Sequence, residues 1–252
     1  MIERESAGEV VVLRLAHGKV NALDLELLTA VTAELTELRE SADEAPPLVL
    51  TGRGTSFSAG VDLRRIVTEP VEYVERYLHA LSTAFTTLYG YPGPTVAAVN
   101  GHAIAGGYVL AAACDHRVAA AGGGRLGLTE LRVGVPFPTA AIEIVRQALG
   151  ERIAAALATD AELRDVPAAA AEGLVHQVVE PEQLVAVAVE QAATRARRGA
   201  DAYRFTKRQL QRPAWERIER HGPGEDAQVR AMWSHEDGLR RIRVYLESLS
   251  TG

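Results

Sequence analysis

Thr95-Val96-Ala97-Ala98-Val99-Asn100-Gly101-His102-Ala103-Ile104-Ala105-Gly106-Gly107 is the stretch on which the fold turns. Thr95 to Val99 is short and apolar, and reads as a buried strand. Gly101, Gly106 and Gly107 form a loop of small residues that runs into an apolar helix, and a further strand follows around Arg117 to Ala120. The same order occurs upstream, where Leu48-Val49-Leu50 reads as a strand and Gly52, Gly54 and Gly60 mark a loop. Outward from these, Val10–Leu15 is a β-branched strand ended by His17-Gly18-Lys19. Asp24 can cap a helix from Leu25 to about Arg39, and Val71 to Leu88 has helical periodicity. Strands alternating with helices predict stacked β/α units with mainly parallel pairing.

Past Pro136 and Pro138 the pattern turns helical, over Thr139–Leu149 and Glu151–Leu157. Val175 to Val179 is a last strand, and Glu182–Arg198, Asp201–Gln211 and Gln228–Leu249 are helical. The expected organisation is a core over 1–198 and a helical region over 199–252.

The chain has 252 residues, enough to bury a sizeable core without disulfides. Lys and Arg total 27 against 33 Asp and Glu, a net charge of −6 that argues against nucleic-acid binding. Cys114 stands alone, so no internal disulfide framework or multi-cysteine metal site is expected, and a reducing compartment fits. The opening Met1–Val10 is charged, unlike a signal peptide, and no apolar run approaches the roughly 20 residues of a membrane span. The expectation is a cytoplasmic protein with neither nucleic acid nor membrane as partner.

A strand–glycine-loop–helix junction brings backbone N–H groups close to a ligand, and the helix N-terminus adds partial positive charge. A phosphate or a developing oxyanion would suit it. The phosphate fingerprints fail: GxGxxG would need glycine at Phe57, and the P-loop Gly-Lys-Ser/Thr is absent. Gly54-Thr55-Ser56-Phe57-Ser58 also misses the GxSxG nucleophile elbow at its last position. Neither HExxH nor CxxC occurs, so no metal is expected. Residue patterns alone stop at an anion or oxyanion site, with an ordinary tight turn as the plainer reading.

Phe57-Ser58-Ala59-Gly60-Val61-Asp62-Leu63 resembles the first signature of the enoyl-CoA hydratase/isomerase (crotonase) superfamily. Pro94 to Gly107, followed by Ala113-Cys114-Asp115-His116-Arg117, resembles the second, and Ala171-Glu172-Gly173-Leu174-Val175 and the helical tail also match. The resemblance covers almost the whole chain. It implies an α/β fold, a crotonase-like ββα spiral core with a C-terminal helical region that serves trimerisation or as a lid. It also implies a homotrimer or a dimer of trimers. The ligand is an acyl-CoA thioester, coenzyme A being part of the substrate, with no separate cofactor.

By the same resemblance, the N–H groups of Val61 and Gly106 form an oxyanion hole for the thioester. Preorganised donors of this kind contribute about 3 kcal/mol each to the transition state. A side chain at Gly106 is expected to crowd the thioester. Ala59, Gly60, Leu63 and Gly107 belong to the substrate-binding loops. Val20, Ala22 and Leu23 correspond to the segment lining the coenzyme A path. Arg64 falls where hydratases carry a lysine near the nucleotide, and Lys207 matches a lysine on the tail near coenzyme A. Asp62 reads as structural, holding its loop through local hydrogen bonds.

Hydratases of the family use two glutamates. The second matches Glu130; the first falls at Val109, which has no titratable group. Isomerases that shift a 3-enoyl-CoA to a 2-enoyl-CoA likewise keep only the second. The resemblance therefore implies proton transfer by Glu130, with Val109 excluding water and raising its pKa. The alternatives are another crotonase chemistry (weak hydration, thioester hydrolysis or decarboxylation) and a coenzyme A thioester-binding protein with little catalysis.

Overall fold

The computed structural model describes residues 1–40 and 45–250, so the last two residues of the 199–252 region lie outside it. A hairpin opens the chain, β1 (Ile2–Ala7) antiparallel to β2 (Val10–Leu15), followed by α1 (Leu25–Glu40). Asp24 caps α1 by accepting from the Leu27 N–H at 2.8 Å.

Three ββα turns follow. The first is β3 (Leu48–Gly52), β4 (Ser56–Ser58) and α2 (Leu63–Thr68), with the long α3 (Val71–Tyr89) added. The second is β5 (Thr95–Val99), β6 (His102–Ile104) and α4 (Gly106–Ala113). The third is β7 (His116–Ala120), β8 (Arg125–Gly127) and the one-turn α5 (Glu130–Val133). Helices α6 (Thr139–Leu149) and α7 (Glu151–Asp160), strand β9 (Arg164–Asp165), α8 (Val166–Ala171) and β10 (Gln177–Val179) complete the core. A 3-10 turn leads into α9 (Leu184–Ala196), and α10 (Ala200–Ser234) and α11 (Glu236–Ser250) form the tail.

Each turn places one strand in each of two sheets. The larger sheet runs β1-β2-β3-β5-β7-β10, parallel from β2 onward, and the smaller runs β4-β6-β8-β9. Strand alternation divides the core in two. Val10, Val12, Val49, Val96 and Ala98 pack under α9, through Leu184, Ala188 and Ala192. Val11, Leu13, Leu15, Leu48, Leu50 and Ala97 point the other way, into the main core with α1 and α3. Burial on both faces explains the unbroken apolar runs of β2, β3 and β5.

The fold is the α/β ββα spiral that the motifs imply. Several local expectations change. Residues 212–227 are helical, because α10 runs through Pro213 and Pro223 without ending. An interior proline costs about 3 kcal/mol; burial of Ala214, Val229 and Trp233 against α3 and α6 offsets it. The helix stops instead at His235, whose backbone is extended. The last core strand begins at Gln177, two residues later than its apolar pattern suggests. Strands β1, β4, β6, β8 and β9 are additions to the sequence reading. No helix among the described residues is long and apolar enough to cross a membrane.

Candidate active site

Strands β4, β6 and β8 are neighbours in the smaller sheet and run parallel. Their C-terminal ends therefore open at one place, the usual site of chemistry in a parallel sheet. Val61 follows β4, Ala105 and Gly106 follow β6, and Glu130 follows β8. A cavity of about 560 Å³ lies there, with Val61, Ala105 and Glu130 in its wall.

Val61 is positioned by a short pairing with Leu23. The Leu23 N–H donates to the Gly60 carbonyl at 2.7 Å, and the Asp62 N–H donates to the Leu23 carbonyl at 3.0 Å. In a parallel pairing this turns the Val61 N–H away from Leu23. Gly60 has φ +83°, and a Cβ there would stand 2.5 Å from the Ile104 carbonyl and 3.4 Å from the Gly106 nitrogen. The two glycine loops thus touch backbone to backbone. Ala105, with φ +52° and ψ −126°, is an alanine in a conformation that favours glycine. It precedes α4, and the strain of about 1–3 kcal/mol is held where the Gly106 N–H is aimed. Among the described residues, neither the Val61 nor the Gly106 N–H donates to an internal acceptor.

Glu130 is 7% exposed, and among the described residues no cation is in ion-pair contact with it. One carboxylate oxygen accepts from the Thr129 N–H at 2.9 Å. Burial pushes its carboxyl up from the usual 4.5 to about 7, outweighing the backbone N–H groups of Glu130 and Thr129, which favour the charged form. A carboxyl in this range can take and return a proton near neutral pH. The other carboxylate in the cavity wall, Asp62, accepts from the N–H groups of Arg64 and Arg65 and caps α2.

Val20, Ala22, Ala59, Leu63 and Arg64 line the same cavity. Leu23, Gly60, Gly106 and Gly107 lie behind its wall: Leu23 is buried, and a Cβ on Gly107 would meet the Ser58 carbonyl at 2.3 Å. The reason Gly106 resists a side chain differs from the expected one. Its Cα faces the core, where a Cβ would reach Leu23 Cδ1 at 3.0 Å and the Phe85 ring at 3.4 Å. Val109 is fully buried in the main core. Lys207 lies away from this cavity. Its ammonium donates to Asp115 at 2.9 Å and to the Gly93 carbonyl at 3.2 Å, beside a different hollow.

Sequence reasoning passed over two contributions. Asn21, between Val20 and Ala22, is buried with φ +50°. Its amide donates to the Ser56 carbonyl at 2.9 Å, and its carbonyl accepts from the His17 N–H, pinning this segment to the β4 loop. An asparagine in a left-handed conformation beside the loop is the signal that marks it. The tail supplies the second: Trp233 of α10, and Tyr245, Leu246 and Leu249 of α11, beside Arg132, Val133, Val135 and Leu163 of the core. Trp233 is held by its indole N–H, which donates to the Pro136 carbonyl at 3.0 Å.

The family model described as enoyl-CoA hydratase/isomerase matches residues 5–251. A putative enoyl-CoA hydratase of Thermus thermophilus is 37% identical over 214 residues, covering 83% of each chain. The human mitochondrial enoyl-CoA delta isomerase 1 is 27% identical over 251 residues, covering 99% of this chain and 83% of the relative. A crystal structure of human mitochondrial delta3-delta2-enoyl-CoA isomerase superposes with a TM-score of 0.91 at 26% identity, over 99% of this chain and 98% of that one. With the spiral, the paired glycine loops and the buried glutamate in place, the chain belongs to the enoyl-CoA hydratase/isomerase family.

Proposed function

We propose that this protein moves the double bond of a 3-enoyl-CoA to the 2-position, with Glu130 carrying the proton. The Glu130 carboxylate takes a proton from C2, breaking the C–H bond and leaving a dienolate. The negative oxygen of the former thioester carbonyl is held by the N–H groups of Val61 and Gly106, at the N-terminus of α4. Glu130 then returns the proton to C4, and the new double bond joins C2 and C3. Arg64 at the cavity wall takes a phosphate of the coenzyme A moiety. A homotrimer or a dimer of trimers is the proposed assembly, which sedimentation velocity checks.

The observation that carries this reading is the state of the two cavity carboxylates. Asp62 is spent on capping α2, which leaves Glu130 to move protons. Residue 109, where hydratases of the family hold their first glutamate, is a valine. The likeness to the delta isomerase extends over 99% of this chain, the cavity-lining tail included. The second reading, hydration, is favoured by the 37% identity to a putative enoyl-CoA hydratase. Incubation with 3-enoyl-CoA and 2-enoyl-CoA in 18O-labelled water, read by mass spectrometry, separates the two. Isomerisation gives 2-enoyl-CoA without label; labelled 3-hydroxyacyl-CoA as the main product of 2-enoyl-CoA favours hydration.

A further inference from the structure

A second cavity, of about 520 Å³, shares no lining residue with the one that holds Glu130. Four basic side chains border it: Arg117 of β7, Arg195 of α9, Arg198, and Lys207 of α10. Asp115 is the acid in its wall. One Asp115 oxygen is already shared among the Thr95 N–H, the Tyr203 hydroxyl and the Lys207 ammonium, each at 2.9 Å. Its ion pair is with Lys207.

Arg117 is 3% exposed, and its donors go to the carbonyls of Leu174 and Cys114 rather than to a carboxylate. Among the described residues, Arg195 donates only to Gln191. Buried or half-buried guanidinium groups are ordinarily paired with acids. His176 and His116, stacked at 4.3 Å, feel the same surplus. Burial first, then the neighbouring arginines, hold them down at about 4 and about 3, so both rings are neutral near pH 7.

We propose that this cavity is a second ligand site, for a phosphate-bearing small molecule of nucleotide size. Arg195 and Arg198 hold the phosphate, while Arg117 contributes its charge. Ala112, Ala148 and Leu210 form an apolar wall for the organic part. The volume lies within the range of small-molecule sites. The site is independent of the proposed isomerase chemistry.

Isothermal titration of the full chain with AMP and with inorganic phosphate tests the assignment. Saturable binding of at least one probe is expected. It weakens tenfold or more in Arg195→Ala and in Arg198→Ala, and is unchanged in Arg64→Ala. Arg198 is exposed, so that variant keeps the fold. The proposal is overturned if neither probe binds, if binding survives both arginine substitutions, or if Arg64→Ala abolishes it. The last result would place the ligand beside Glu130.

Discussion

Gly60 and Gly106 sit on successive turns of the spiral, and a methyl group on Gly60 would lie 3.4 Å from the Gly106 amide nitrogen. This contact sets the spacing of the two N–H groups proposed to hold the thioester oxygen. It depends on a residue without a side chain at φ +83° and on an alanine, Ala105, held at positive φ beside it.

Gly60→Ala therefore forces the two loops apart, since its Cβ would also stand 2.5 Å from the Ile104 carbonyl. Loss of oxyanion alignment is expected to lower kcat/KM for 3-enoyl-CoA by about 100-fold or more. Gly106→Ala meets the flexible end of Leu23 instead. Its effect on activity is expected to be smaller, with about 1–3 kcal/mol lost in stability from overpacking. Steady-state kinetics and denaturant melts on both variants check the contrast.

The raised carboxyl of Glu130 predicts two pH dependences. The base form is needed to accept the C2 proton, so kcat/KM rises with pH through about 7 and then levels. Stability moves in the opposite direction. The folded state holds this proton more tightly than the unfolded chain, so the contribution of Glu130 is full below about pH 4.5 and is lost as pH rises through about 7. Relative to the wild type, Glu130→Gln should gain stability over that window, by on the order of 3 kcal/mol. Urea melts at pH 5 and pH 8 measure the difference; an equal ΔΔG at both would contradict it.

Lys207 is predicted to matter for stability rather than for coenzyme A. Lys207→Ala removes the partner of the mostly buried Asp115 and is expected to cost about 3 kcal/mol. KM for the acyl-CoA should stay within about twofold, because less than 0.4 kcal/mol of substrate binding is at stake. Thermal melts and a KM determination decide it, and a large rise in KM with an unchanged melt would return Lys207 to the substrate.

Asn21→Ala breaks the link between the 17–23 segment and the β4 loop. It leaves the Ser56 carbonyl and the His17 N–H unpaired, at about 1–3 kcal/mol for each group that stays buried. Since this segment also places Val61, kcat should fall with stability. Activity measured well below the melting temperature separates the two losses.

The apolar runs of β2, β3, β5 and β7, the Asp24 cap of α1 and the periodicity of α1, α3 and α6 were legible in the sequence because each element buries a face that its own residues announce. The small strands were not. Strands β4, β6 and β8 are three residues each, too short for any period to register, and they exist because the spiral stacks them. Helix α10 hid behind Pro213 and Pro223, where packing on α3 and α6 outweighs local propensity. The site divides the same way. Motif register singled out Glu130, Val61 and Gly106. The walls supplied by Trp233, Tyr245 and Leu246 depend on where the tail folds back, which no local pattern records.

The central claim is that one buried carboxyl moves the proton. Isomerisation of a 3-enoyl-CoA by Glu130→Gln, measured at pH 8 against the wild type, tests it most directly. The account predicts a fall of about 10²–10⁴-fold in kcat, with little change in acyl-CoA affinity. Full activity in the folded variant would contradict it.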